Sequence, residues 1–295
     1  MSSVKRFIPG VLVIVLLGLA LPAAAQTGGM QNGPFDGMSS SIVVPAGVRV
    51  DGKNGAFFQT DLWIRCRTVP VTATLYFHTA DAATSAPAVT VPITLTQPVT
   101  YLADVLSATF GVSKGAGNIR IVADAPISAV VRVYNNGGGG AYGLSFMGMP
   151  STMSLQSMPM MGGSFGMDDF AMYMLGLLPE PGNRVNVSVV NTNSTTVSGV
   201  VEVLDSDGLA PTGTGVTSLP FSIAGYSSHQ FNDVLLNVRS RFGSGDTGLQ
   251  VRVRLNQGST GMVMAYAVIN DNTTNDGYVV MGNMMNGGRG MGMMN

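Results

Sequence analysis

The feature that most limits what this chain can fold into is a period of two. Val71, Ala73, Leu75 and Phe77 alternate with Thr72, Thr74, Tyr76 and His78, and Val185, Val187 and Val189 alternate with Asn186, Ser188 and Val190. Successive side chains of an extended strand point to opposite faces, so such a run buries one face of a sheet. Short Val/Ile/Thr-rich runs recur at intervals of roughly 8–15 residues, separated by Gly, Pro, Asn and Asp clusters. Asp205-Ser206-Asp207-Gly208, after residues 201–204, is a turn signal at a strand end. The only helix candidates are short ones beginning at Asp104 and Asp233, where a carboxylate is placed to cap the next free amides. The expected fold is all-β.

The pattern occurs twice. Thr60-Asp61-Leu62-Trp63-Ile64 answers to Val185-Asn186-Val187-Ser188-Val189, and Leu102-Ala103-Asp104-Val105-Leu106 to Phe231-Asn232-Asp233-Val234-Leu235. Ile119-Arg120-Ile121 answers to Val251-Arg252-Val253. Val133-Tyr134-Asn135-Asn136 is matched with Val268-Ile269-Asn270-Asp271, and a Gly/Tyr pair follows each, Tyr142-Gly143 and Gly277-Tyr278. About seven strands in each unit of ~105 residues is the count of an immunoglobulin-like sandwich.

These motifs resemble the tandem Ig-like repeats of bacterial secreted and cell-surface proteins. The resemblance covers residues 41–282 and implies two tandem immunoglobulin-like β-sandwich domains, with no catalytic residues to carry over. The expected organisation is a signal peptide at 1–25, a flexible N-terminal segment at 26–40 and a first sandwich at 41–149. A Met/Gly/Ser-rich linker at 150–168 leads to a second sandwich at 169–282 and a Met/Gly/Asn-rich tail at 283–295.

Lys5 and Arg6, an apolar run over residues 7–21 and then Ala23-Ala24-Ala25 read as a secretory signal. Beyond it no apolar stretch is long enough to span a bilayer as a helix, so the expected product is secreted, periplasmic or at the cell surface. Charged residues are only 11% of the 295, and the formal charge is −1. Nucleic acid is excluded as a partner, because that affinity comes from clustered Lys and Arg. A single cysteine excludes a disulfide framework. In the run Phe58, Thr60, Leu62, Ile64, Cys66 it lies on the apolar side and reads as a small buried hydrophobe.

Two histidines, His78 and His229, fall in different repeats and read as exposed turn residues. Asp168-Asp169 and Glu180 lie in or beside the linker, where nothing desolvates them, and the chain is expected not to be an enzyme. Asp205-Ser206-Asp207-Gly208 lacks the distal Glu of a calcium loop. Arg120 and Arg252 alternate with apolar neighbours and read as solvated strand faces paired with acidic side chains.

Methionine, 20 in all, is clustered. Met158-Pro159-Met160-Met161, Met281-Gly282-Asn283-Met284-Met285 and Met291-Gly292-Met293-Met294 each bring three thioethers together, in segments otherwise rich in Gly, Asn and Pro. Thioethers are soft ligands for Cu(I) and form no disulfides, so Met158, Met160, Met161, Met281, Met284, Met285, Met291, Met293 and Met294 are the candidate ligands. No cofactor is expected other than Cu(I). Met172, Met174, Met262 and Met264 have strand spacing and read as core. Trp63 shares a strand face with Phe57, Gln59, Asp61 and Arg65, opposite Leu62 and Ile64. An outward tryptophan either covers an interface or stacks on a ligand such as a carbohydrate. The function expected first is a non-catalytic exported interaction or structural module that meets a protein partner through sheet edges or methionines. Copper buffering comes second and carbohydrate binding third.

Overall fold

The computed structural model describes residues 38–52, 55–137, 143–156, 170–177, 182–205, 217–236, 249–271 and 277–286. Within them the chain is all-β. Eight strands form the first sheet: β1 (Ser39–Asp51), β2 (Phe57–Cys66), β3 (Val71–Thr79), β4 (Val89–Leu95), β5 (Val99–Leu102), β6 (Gly115–Asn135), β7 (Gly143–Met147) and β8 (Met149–Pro150). The rest are β9 (Leu155–Gln156), β10 (Phe170–Leu177), β11 (Asn183–Asn191), β12 (Val197–Leu204), β13 (Ser218–Ile223), β14 (Ser228–Phe231), β15 (Leu249–Leu255), β16 (Met262–Asp271), β17 (Gly277–Met281) and β18 (Asn283–Asn286). They make two sheets, ordered β13-β12-β15-β10-β18 and β14-β11-β16-β17, with β9 beside β16.

The pairing order is the same in both halves. Strand β6 runs for 21 residues. Its first part lies between β3 and β1, its second between β2 and β7. Divided at that point, the first sheet reads β4-β3-β6-β1-β8 and β5-β2-β6-β7, strand for strand the orders of the two later sheets. The long strand stays unbroken in the N-terminal repeat, whereas the C-terminal repeat interrupts it between β15 and β16.

The equivalence holds at single hydrogen bonds. The Asp104 amide donates to Asp61 Oδ1 at 2.8 Å, and the Asp233 amide to Asn186 Oδ1 at 3.0 Å. Both aspartates take positive φ, 38° and 42°. The Cys66 amide donates to the Pro98 carbonyl and the Asn191 amide to that of Ser227, each at 2.9 Å. Gly148 and Gly282, where the chain crosses between sheet orders, donate to Ala129 and Ala265 carbonyls, each at 2.8 Å. One sequence match moves by a residue: Thr60 faces Val133 and Val185 faces Ile269, so Val133 corresponds to Ile269 rather than Val268. A slip of one would turn every side chain to the opposite face.

Three expectations about local structure change. A single π-helical turn, Val105–Thr109, follows Asp104, but that carboxylate makes no cap. It accepts from Arg49 Nε instead, at 3.1 Å. Residues 150–156, read as the head of the linker, carry β9, whose Leu155 is buried in the second core. Asn283–Asn286, read as the start of the tail, pair with β10.

The alternating residues make two apolar clusters. Ile42, Leu62, Ile64, Phe77, Leu106 and Ile121 anchor the first; Met172, Met174, Val187, Val201, Val253 and Ala265 anchor the second, drawn from both C-terminal sheets. Cys66 is buried and unpaired. Strand β16 is apolar on both faces: Val263, Ala265, Ala267 and Ile269 enter the second cluster, while Met264 and Tyr266 enter the first. Its near-continuous run Met262-Val263-Met264-Ala265-Tyr266-Ala267-Val268-Ile269 is what burial on both faces requires.

Candidate functional site

The outward face of β5-β2-β6-β7 is the candidate site. Strand alternation places Asp61, Trp63 and Arg65 on it from β2. Cross-strand register brings up Tyr101 and Val99 from β5, Val130 and Arg132 from β6, and Met147 from β7. Trp63 is half-buried and stacks on Tyr101, with ring centroids 4.9 Å apart and planes 29° apart. Val99, Tyr101 and Met147 are large apolar side chains left 50%, 52% and 68% exposed.

Beside the aromatic pair is a closed polar network. Asp61, itself buried, accepts from the Tyr101 hydroxyl at 2.9 Å, the Tyr134 hydroxyl at 3.4 Å and the Asp104 amide at 2.8 Å. Gln59 Nε2 donates to the Tyr134 hydroxyl, and Asn136 Nδ2 donates to Gln59 Oε1 at 3.0 Å. The Arg132 guanidinium lies 5.0 Å from the centre of the Tyr134 ring. The hydrogen bond to the Asp61 carboxylate raises the Tyr101 phenol above its ordinary pKa of 10.0, so it stays a donor. With three donors on it, Asp61 orients the tyrosines and fixes the face.

The equivalent face of the C-terminal repeat is covered. Val190, Met264 and Tyr266 are buried in the first cluster, with Val268, Val279 and Met281 packed against it. The Tyr266 hydroxyl donates to the Pro45 carbonyl at 3.4 Å, and its ring meets Phe146 edge-on at 5.1 Å. Ala80 bridges to Ser228, the Asp81 amide donates to the Ser228 carbonyl at 2.7 Å, and Asp81 Oδ1 lies 2.5 Å from His229 Nδ1. Tyr226, at φ 58°, caps the junction. Its carbonyl accepts from Asn118 Nδ2 at 2.8 Å, and Arg120 sits between the rings of Tyr226 (4.4 Å) and Tyr76 (4.9 Å).

Three sequence expectations change at this junction. His78 is a buried residue, 2% exposed, rather than a solvated turn histidine. Burial, and secondarily the Arg120 charge, push its pKa down to about 4. Its Nε2 and Asn118 Oδ1 are buried without a hydrogen-bond partner. Arg120 lies between aromatic rings rather than on a solvated face; Arg252 does find its acid, Glu202, at 2.8 Å. Met264 is core, but it joins the N-terminal cluster. The doubly apolar run of β16 was the sequence signal for this contact.

Of the candidate copper ligands, Met158, Met160, Met161, Met291, Met293 and Met294 lie outside the described residues. Met281 packs at the junction, Met284 is half exposed on β18 in the other sheet, and Met285 pairs through its backbone with Ala171. No helix among the described residues is long and apolar enough to cross a membrane. No family model, curated protein or solved structure matches the chain.

Proposed function

We propose that this chain is an exported, non-catalytic interaction module built from two Ig-like β-sandwiches, and that the Trp63 face of the N-terminal repeat is its contact surface for a protein partner. One observation carries the reading: Val99, Tyr101 and Met147 converge, exposed, on one sheet face beside Trp63. Apolar and aromatic side chains gathered on an otherwise polar surface mark interaction sites. The neighbouring polar groups bond one another, so the face is pre-organised and little ordering is lost on contact. The Trp63–Tyr101 stack occupies one face of each ring, which favours a protein over a stacked sugar. Support for export is the signal-like pattern of residues 1–25.

The test is co-sedimentation of the full chain with cell-envelope material from the producing cell. The chain is expected in the pellet, and Tyr101→Ser with Met147→Ser in the supernatant. Equal partition of the two proteins would overturn the assignment of the surface.

A further inference from the structure

Within the chain, one repeat already stacks on the other, and the sheet register identifies which surfaces meet. Trp63 faces Val130 and Ser188 faces Tyr266; Arg65 faces Ser128 and Val190 faces Met264. Val130 pairs with Met147 as Tyr266 pairs with Met281. The buried Val190 and Tyr266 and the half-buried Met281 are therefore the counterparts of Arg65, Val130 and Met147. The same face is covered in one repeat and open in the other.

The receiving surface is carried by β1, β3 and the first part of β6 in the N-terminal repeat. It includes the Pro45 carbonyl that accepts the Tyr266 hydroxyl. Strand β1 has a register break between Val44 and Gly47, and β10 has one between Leu175 and Leu177. Pairing of Ile42 with Pro150 and of Met172 with Met284 aligns the two strands, so Leu175 stands where Pro45 does. Leu175 is apolar and 43% exposed. The docking face is thus open on one repeat, and on the other Leu175 stands exposed at the position that Pro45 holds on the receiving strand.

We propose that the partner is a second copy of this chain, whose Leu175 side docks on the Trp63 face and repeats between molecules the stacking that joins the repeats within one. The proposal rests on the Trp63 face being a contact surface. Because the two surfaces differ, the contact is head-to-tail and not a two-fold dimer, so each copy leaves a free surface for the next and assembly continues beyond two copies.

Sedimentation velocity of the full chain over a wide concentration range tests this, with a front variant (Tyr101→Asp with Met147→Asp) and a back variant (Leu175→Asp). All three substitutions are at exposed positions, and an unchanged Tm and circular dichroism spectrum would verify folding. The wild type is expected to give a concentration-dependent series of species, and each variant alone only monomer. An equimolar mixture of the variants is expected to stop at a heterodimer, because only one intact surface of each kind remains. A wild type that stays monomeric throughout overturns the proposal, and so does a back variant that still self-associates. If a monomeric wild type still sediments with envelope material through Tyr101 and Met147, self-docking fails while the contact surface stands. Loss of both sinks both.

Discussion

The ring of Tyr226 lies 5.2 Å from that of His78, tilted by 40°, so a turn of the C-terminal repeat covers a histidine of the N-terminal repeat. His78 comes from β3, opposite Asn118 on β6, and Arg120 stands two residues along between Tyr226 and Tyr76. A neutral imidazole fits this setting and a second cation does not. The contact between repeats is thereby linked to a proton.

The sign of that linkage is fixed. His78 has a folded pKa of about 4 against an ordinary value of 6.5, so between those values the unfolded chain binds the extra proton. Stability is complete above about pH 6.5 and falls as pH drops toward about 4, by a total of order 3 kcal/mol. Urea midpoints measured from pH 7.5 to 4 should show the fall. His78→Phe should flatten it, and an equally steep profile in that variant would assign the proton elsewhere.

Glu202 should act in a lower window. Burial opposes its ionisation, but the hydrogen bonds from Arg254 and then Arg252 outweigh this and hold its pKa below the ordinary value of 4.5. A lowered carboxyl gives stability above its unfolded pKa, which is lost as pH falls through the folded value. Glu202→Gln is expected to cost roughly 2–3 kcal/mol at neutral pH, because two partly buried guanidiniums lose the carboxylate charge they share and keep a single amide oxygen there to donate to. A chemical-denaturation midpoint unchanged at pH 7 would refute this.

Asp61 and Asn186 hold corresponding amides, those of Asp104 and Asp233. Since Asn serves at one position, Asp61→Asn should keep the turn and cost about 1 kcal/mol or less. Asp61→Ala leaves the Asp104 amide and two tyrosine hydroxyls without their acceptor, at about 2–3 kcal/mol. Thermal unfolding ranks the two, and the reverse order would contradict the network.

At the crossing glycines a Cβ on Gly148 would lie 2.4 Å from Ile42 Cγ2, and one on Gly282 would lie 2.4 Å from Met172 Sδ. The Gly282 Cβ would also lie 2.4 Å from Met172 Cγ and 2.9 Å from the Ala265 carbonyl oxygen. Ile42 is β-branched and stiff, and Met172 is held in the core, so Gly148→Ala and Gly282→Ala should each cost about 2–3 kcal/mol. An unchanged Tm in either variant would show that the crossing has room for a methyl group.

The repeat was legible because turn chemistry is local. Asp104 and Asp233 stood out as matched landmarks, and both take the same unusual backbone. The cap expected of Asp104 was not, since Arg49, which takes that carboxylate, lies 55 residues away in sequence. The face carrying Trp63, Asp61 and Arg65 could be read from alternation alone; the proximity of Tyr101, Tyr134 and Met147 required strand register. His78 was misread because a strand end beside a turn looks exposed until Tyr226 is folded over it.

The sequence by itself determined the all-β class, the doubling and the two faces of each strand, because a period of two and a turn residue act within a few positions. Which face is covered was decided only in the tertiary structure. Ser188 and Trp63 occupy corresponding places, yet one is buried and the other borders an open apolar patch. Alternation separates two faces but does not say what lies above either, and the cover comes from distant segments: Pro45, residues 79–81 and Tyr226 meet only when one repeat packs on the other.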